Sequence, residues 1–115
     1  MIVSVFHGTS SEFTGTPTPQ TDINGLTGIF FTESEADAQY FAEANTEGSD
    51  DGEARVFSGS IDLTDAEDLS EMDAEQDQII EAAYNSNAAI IILPDLSGVS
   101  DREILVKRAS LVTWN

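Results

Sequence analysis

Residues 28–40 constrain the fold most strongly, because they predict a buried strand that passes directly into a helix. Residues 29–31 read Ile-Phe-Phe after a glycine, which is typical of a strand covered on both faces. Thr32 and Glu35 then give the Thr-x-x-Glu pattern of a helix start. We therefore expect strand and helix side chains to meet at one rigid corner.

Aromatic residues mark both sides of this corner. Strand side chains alternate between faces, so only one of Phe30 and Phe31 can face a given pocket. Tyr40 lies about two turns along the predicted helix. Two rings held apart in this way form a slot for a flat ring, although aromatics at these positions also suit core packing.

A second candidate group lies near the N-terminus. Residues 2–6 predict a strand from their β-branched and aromatic content, and His7, Gly8 and Thr9 follow at its end. The glycine permits close approach of a ligand to the backbone, and the threonine adds a hydroxyl. A lone histidine is more often structural, but the three residues together form a candidate clamp.

The remaining elements are predicted from apolar runs between polar loops. Strands are expected at residues 54–63, 88–93 and 104–106, with a closing edge strand at 110–114. A helix is expected to begin at Asp73 with Gln76 and to carry an apolar stripe: Ile79, Ile80, Ala83 and Tyr84. Glu103 opens the 104–106 strand, either as a solvated strand end or as a carboxylate at the edge of a cleft.

Taken in order, three motifs resemble the ADP-ribosyltransferase family, in the branch of diphtheria-type toxins and poly-ADP-ribose polymerases: His7-Gly8-Thr9, Gly28-Ile29-Phe30-Phe31-Thr32 and Asp101-Arg102-Glu103. That branch carries His-Gly-Thr or His-Gly-Ser on its first strand, aromatics on a later strand and the following helix, and a glutamate on a late strand. The resemblance implies an α+β fold of split antiparallel β-sheets with two or three helices. It also implies one domain over residues 1–115.

The resemblance further implies that NAD is the substrate. His7 would bond the adenine-side ribose, and the Gly8 backbone would hold the nicotinamide carboxamide. Phe30 and Tyr40 would enclose the nicotinamide ring, with Phe30 in place of the family's usual tyrosine and without its hydroxyl contact. The wider set of implied NAD-binding residues also includes Thr9 and Phe31.

Catalysis in the family resembled implies roles for Glu103 and His7. Cleavage of the bond between nicotinamide and ribose builds positive charge on the sugar, and the Glu103 carboxylate would stabilise that charge. Asp101 would lie on the acceptor side, where the family more often has Gln or Glu. No metal is required, and a chain with no cysteine and one histidine does not favour a zinc site.

Acidic residues dominate the charge, with 22 Asp and Glu against four Lys and Arg and a net charge of -18. This field repels phosphate backbones, so direct nucleic-acid binding is not expected and basic proteins are the more natural partners. Adaptation to high salt, mimicry of a nucleic acid and binding of a basic protein each fit this charge.

The sequence thus predicts a mono-ADP-ribosyltransferase that modifies a side chain of a basic or nucleic-acid-handling protein. The alternatives are a non-enzymatic acidic inhibitor and an NAD glycohydrolase with water as acceptor. Minimal domains that resemble this family serve as toxins or phage effectors, including anti-CRISPR proteins. No leader pattern or apolar run of about 20 residues is present, so a cytoplasmic protein without a membrane segment is expected.

Overall fold

The computed structural model describes residues 1–10, 17–21, 25–46, 54–94 and 102–115. Within these ranges the chain forms eight strands, two α-helices and one short 3₁₀ helix. In chain order they are β1 (Ile2–Ser10), β2 (Gln20–Thr21), β3 (Thr27–Phe31), α1 (Glu35–Thr46), β4 (Ala54–Asp62), β5 (Glu67–Asp68), α2 (Gln76–Asn85), β6 (Ile90–Pro94), β7 (Arg102–Val106), the 3₁₀ helix (Ala109–Leu111) and β8 (Thr113–Trp114).

The described strands form two sheets. One has the order β1-β4-β8, and the other has the order β2-β3-β7-β6-β5. The pairs are antiparallel except for β5 and β6, which run parallel. The predicted α+β class is confirmed, whereas the parallel pair departs from the fully antiparallel sheets that were expected.

Two hydrophobic clusters hold these layers together. The first contains residues of both sheets, including Val5 and Ile61 from one and Phe31 and Ile104 from the other. The second lies on the opposite face of the five-stranded sheet, where α2 packs with its buried Ile79. The five-stranded sheet is therefore covered on both faces, as the apolar runs of its central strands require. No helix within the described ranges is long and apolar enough to cross a membrane.

Within the described part of the chain, one backbone bridge between β1 and the end of β3 joins the two sheets. The Phe6 N–H donates to the Thr32 carbonyl at 2.8 Å, and the Thr32 N–H donates to the Phe6 carbonyl at 2.9 Å. Past the bridge, β1 runs on beside β4 while β3 pairs with β2 and β7. We call the gap that opens between β1 and β3 beyond this bridge the split.

The corner between β3 and α1 is built by Ser34. Its side-chain oxygen accepts from the Asp37 N–H at 3.3 Å, and its carbonyl accepts from the Ala38 N–H at 3.1 Å. Ser34 is therefore the N-cap, and the predicted helix start at Thr32 is wrong by two residues. Thr32 is instead held by the bridge to β1, and its hydroxyl accepts from the Ser34 N–H at 3.2 Å.

The second helix also begins later than its sequence pattern suggests. It is preceded by Glu75, not by Asp73, and the Glu75 N–H donates to the Gln78 side chain at 3.2 Å. The apolar stripe is narrower than expected, because Ile79 and Ala83 are buried while Tyr84 is 69% exposed.

Close backbone contact between β1 and α1 depends on Gly8. The strand extends to Ser10, so His7, Gly8 and Thr9 lie within β1 and not at its end as expected. A Cβ placed on Gly8 would lie 1.9 Å from the Ala38 carbonyl oxygen and 2.8 Å from the Ala42 nitrogen. The absence of a side chain at this position therefore sets the distance between helix and strand.

We expect Gly8→Ala to lower the free energy of unfolding by about 3 kcal/mol, because the new methyl group meets rigid helix backbone. Urea unfolding monitored by circular dichroism measures this. Ser4→Ala is the matched control: Ser4 is exposed on the same face of β1, and its replacement should change stability by less than about 0.5 kcal/mol. Equal stability of the Gly8→Ala variant and the wild type would contradict the proposed packing constraint.

Candidate functional site

His7 lies at the split between the two sheets. Its Nδ1 is 2.6 Å from the carbonyl oxygen of Phe30, and its ring centroid is 5.8 Å from that of Phe31. A carbonyl oxygen can only accept, so Nδ1 carries the proton and donates it. In the neutral ring Nε2 is then left as a hydrogen-bond acceptor.

Burial keeps this ring neutral. Loss of solvent lowers the pKa of His7 below its ordinary value of 6.5, and the hydrogen bond to Phe30 only partly offsets that effect. At neutral pH the ring therefore offers an acceptor at Nε2 and not a second N–H. Such a group suits a hydroxyl ligand better than a phosphate.

The backbone of Gly8 faces the same gap. Both the N–H and the C=O of Phe6 bond Thr32 and therefore point away from β4. Every second residue along β1 points its N–H and C=O in that same direction. Gly8 lies two residues after Phe6 on β1, so its N–H and C=O also point away from β4. It therefore presents one N–H and one C=O to the split, close to the ring of His7.

Phe30 and Glu103 share one face of the five-stranded sheet. Phe30 pairs with Leu105 across β3 and β7, and Glu103 lies two residues before Leu105 on the same strand. Side chains two residues apart point to the same face, and such diagonal neighbours lie roughly 7–8 Å apart. Both side chains are half-buried, so the structure brings together the predicted aromatic residue and the predicted carboxylate.

This face continues onto the side of β1 that carries α1. Phe6 and Thr32 face each other at the bridge, so their side chains lie on the same side of the joined strands. Side chains two residues apart point to the same face, so Phe30 shares the face of Thr32, and Gly8 shares the face of Phe6. The backbone of Gly8, the Phe30 ring and the Glu103 carboxylate therefore border one continuous surface.

Phe31 and Thr9 are both buried inside the protein. Phe31 is buried in the cluster between the sheets, and its ring centroid is 5.7 Å from that of Trp114. Thr9 is also buried. Of the two phenylalanines left open by the sequence, Phe30 is the one on the face of Glu103.

The aromatic residues of α1 are arranged differently from the expectation. Tyr40 is 57% exposed, whereas its neighbour Phe41 is half-buried, and their ring centroids are 6.2 Å apart. Helix geometry puts Tyr40 about 160° around the axis from both Ala38 and Ala42, which contact β1. Phe41 is about 60° from Ala38, so it is the aromatic residue nearer to the sheet.

An ion pair fixes the start of β7 beside Glu103. The Arg102 Nε donates to Glu33 Oε1, and this hydrogen bond raises the pKa of the guanidinium, with a smaller contribution from Asp68. The pair ties β7 to the corner between β3 and α1. Asp101, expected on the acceptor side, lies outside the described residues.

Two features of this region were not identified from the sequence as parts of a site. Phe41 was not singled out as a site residue, although the small residues Ala38 and Ala42 at helical spacing indicate which side of α1 packs on the sheet. The contact between Glu33 and Arg102 follows from strand register, which sequence patterns near residue 102 do not determine.

Within the described ranges, no three His, Asp or Glu side chains converge in a way that could hold a metal ion. Comparison of the chain with protein-family models, with curated proteins and with solved structures finds no match. The candidate site is therefore defined by its geometry alone. His7 and Gly8 lie at the split, whereas Phe30 and Glu103 lie together on the α2 face of the five-stranded sheet. The His7 ring itself is on the opposite face, beside Phe31.

We expect the imidazole of His7 to titrate below pH 6.5 in the folded chain and near 6.5 in the urea-unfolded chain. Proton NMR measures this directly, because the chain has one histidine. Neutral His7 then contributes stability that is fully present above pH 6.5 and is lost as the pH falls through the folded value.

His7→Asn is the control for the pH dependence of stability, because carboxylates also titrate in acid. The difference in unfolding free energy between wild type and His7→Asn should become less favourable to the wild type as the pH falls. A folded pKa at or above 6.5 would contradict the buried, carbonyl-bonded ring.

Proposed function

We propose that this chain is a mono-ADP-ribosyltransferase that binds NAD at the split. The observation that carries the proposal is that His7 and the Gly8 backbone lie at the split, while Phe30 and Glu103 lie together on the α2 face, with the Phe30 carbonyl bonded to the His7 ring. These are the residue types that the sequence resemblance implies for NAD binding and cleavage, and they come from three separate strands.

The polar groups at the split complement the parts of NAD. The Nε2 atom of neutral His7 can accept a hydrogen bond from a ribose hydroxyl. The N–H and C=O of Gly8 can pair with the C=O and NH₂ of the nicotinamide carboxamide. Both interactions use uncharged groups, which a protein with a net charge of -18 can provide without local repulsion.

Glu103 provides the charge that the reaction needs. When the bond between nicotinamide and ribose breaks, its electron pair leaves with nicotinamide, and the ribose acquires oxocarbenium character. A fixed carboxylate beside the sugar stabilises that transition state. A nucleophilic side chain of the acceptor then forms the new bond to the ribose carbon, and Asp101 is proposed to lie on that side.

Phe30 and the aromatic pair of α1 would form the two walls around the nicotinamide. Phe30 is half-buried on the sheet, and Phe41 is the inner ring of the pair, with Tyr40 on its outer side. Offset stacking of rings contributes about 0.5–1.5 kcal/mol beyond the area buried. We therefore assign the second wall to Phe41, supported by Tyr40.

The acceptor is proposed to be a basic or nucleic-acid-handling protein in the cytoplasm of the producing cell or of a host. Exposed carboxylates flank β5 and lie on α2, including Asp65, Glu71, Asp77 and Glu81. Such a field accelerates encounter with a cationic partner and repels nucleic acid.

Labelled NAD incubated with the protein and a cell lysate tests the activity. We expect a labelled protein band and release of nicotinamide, and we expect Glu103→Gln to lower the rate by about 10²–10³-fold. Glu81→Gln removes an exposed carboxylate from α2 and should leave the rate unchanged.

The other outcomes separate the alternatives. Nicotinamide release without a labelled band identifies an NAD glycohydrolase. If neither product forms and NAD does not bind, the transferase proposal fails and an acidic inhibitor is favoured. Full activity of Glu103→Gln would remove Glu103 from the mechanism.

The assignment of the second wall is tested by two matched substitutions, Phe41→Leu and Tyr40→Leu. Phe41→Leu should raise the KM for NAD by about three- to tenfold, because it loses ring stacking but keeps apolar bulk. Tyr40→Leu should change KM by less than about twofold. A larger effect at Tyr40 than at Phe41 would reverse the assignment.

A further inference from the structure

A second pocket lies on the α2 face of the five-stranded sheet, away from the split. Its volume is about 210 Å³, and the residues that line it include Leu26, Thr27, Ala83, Tyr84, Leu105 and Lys107. It opens at the start of β3. It shares the α2 face with Phe30, which pairs with the lining residue Leu105, so the pocket adjoins the Phe30 side of the candidate NAD site.

Lys107 brings a positive charge to this pocket. Its Nζ donates to the Ser86 carbonyl at 2.6 Å, next to the end of α2, and the side chain is half-buried. An ammonium has three N–H donors, so two are available for another group. No described carboxylate lies within ion-pair distance of Lys107, although 22 of the 115 residues are acidic.

The walls around the ammonium are mainly apolar. Leu26, Ala83 and Leu105 are buried, and Tyr84 stands at the rim with most of its ring exposed. The pocket volume of about 210 Å³ is well above the roughly 10–15 Å³ that one water needs on the same measure. The pocket thus combines one cation, an apolar lining and room for a small ring or branched chain.

We propose that this pocket binds a small organic monocarboxylate with an apolar body, such as an aromatic or branched aliphatic acid. The carboxylate bonds the two remaining N–H groups of Lys107, and the apolar body lies between Leu26, Leu105 and the Tyr84 ring. A phosphate or a dicarboxylate fits less well, because Lys107 is the one cation among the described residues that line the pocket, and the chain as a whole repels additional negative charge.

Lys107 also stabilises the end of α2, since a cation near the last carbonyls of a helix interacts favourably with its dipole. This structural role uses one donor and requires no ligand. The test must therefore measure binding itself, with stability as a separate readout.

Benzoate is the probe, and benzyl alcohol is its neutral control. The ¹⁵N-labelled full chain is titrated with each in about 0.15 M salt, which screens long-range repulsion from the acidic surface. We expect benzoate to shift the amide signals of Leu26, Thr27, Tyr84 and Lys107 in a saturable manner. Benzyl alcohol should bind at least tenfold more weakly.

Two variants assign the binding to this pocket. Lys107→Gln keeps a donor for the Ser86 carbonyl but loses the charge, and it should weaken benzoate binding at least tenfold. Arg108→Gln removes the neighbouring exposed cation and should leave binding unchanged. Tyr84→Ala, at an exposed position that does not support the core, should weaken binding about threefold.

The proposal is overturned if benzoate causes no saturable shifts at these residues, if the shifts map to the split, or if Lys107→Gln binds as the wild type does while remaining folded. It does not depend on the transferase proposal, because the titration contains no NAD. An inactive enzyme with this pattern of shifts would still support the pocket.

Discussion

Among the described residues, the backbone bridge between Phe6 and Thr32 is the point on which the arrangement of the two sheets depends. It joins two sheets that otherwise pair with different strands, so β1 and β3 separate immediately beyond it. The separation leaves backbone groups of β1 without a neighbouring strand and gives the His7 ring a carbonyl to bond. A fully paired sheet would have satisfied these groups internally and left nothing to present to a ligand.

The candidate site therefore depends on incomplete sheet pairing more than on any one side chain. Gly8 has two functions in this arrangement, because its missing side chain admits α1 on one side while its peptide groups face the split. The pairing of β3 with β7 puts Glu103 beside Phe30, and the ion pair between Glu33 and Arg102 ties the start of β7 to the corner before α1. Local backbone geometry and one charge pair together define the surface on which the proposed chemistry depends.

Much of the fold could be predicted from the sequence, because the apolar runs that form β3, β6 and β7 have no alternative use in a chain of this size. Helix starts were predicted less well: Thr32 and Asp73 match capping patterns, but Ser34 and Glu75 lie where tertiary packing ends the preceding segments. Tyr40 was selected as the second wall by its type, and its orientation depends on which residues of α1 meet β1. The contact of Ala38 with Gly8 determines which side of α1 faces β1, and this contact is visible only in the structure.

The contact of α1 with β1 through Gly8, Ala38 and Ala42 has a consequence for how this protein can evolve. A side chain at Gly8 would meet the backbone of α1 at Ala38 and Ala42, and both alanines are fully buried, so small residues at these three positions permit the close approach of helix and strand. Relatives of this chain that have exchanged the aromatic or acidic residues of the split for a different chemistry should still retain this trio. Tracing small residues at that spacing would then identify distant kin better than a search for the histidine would.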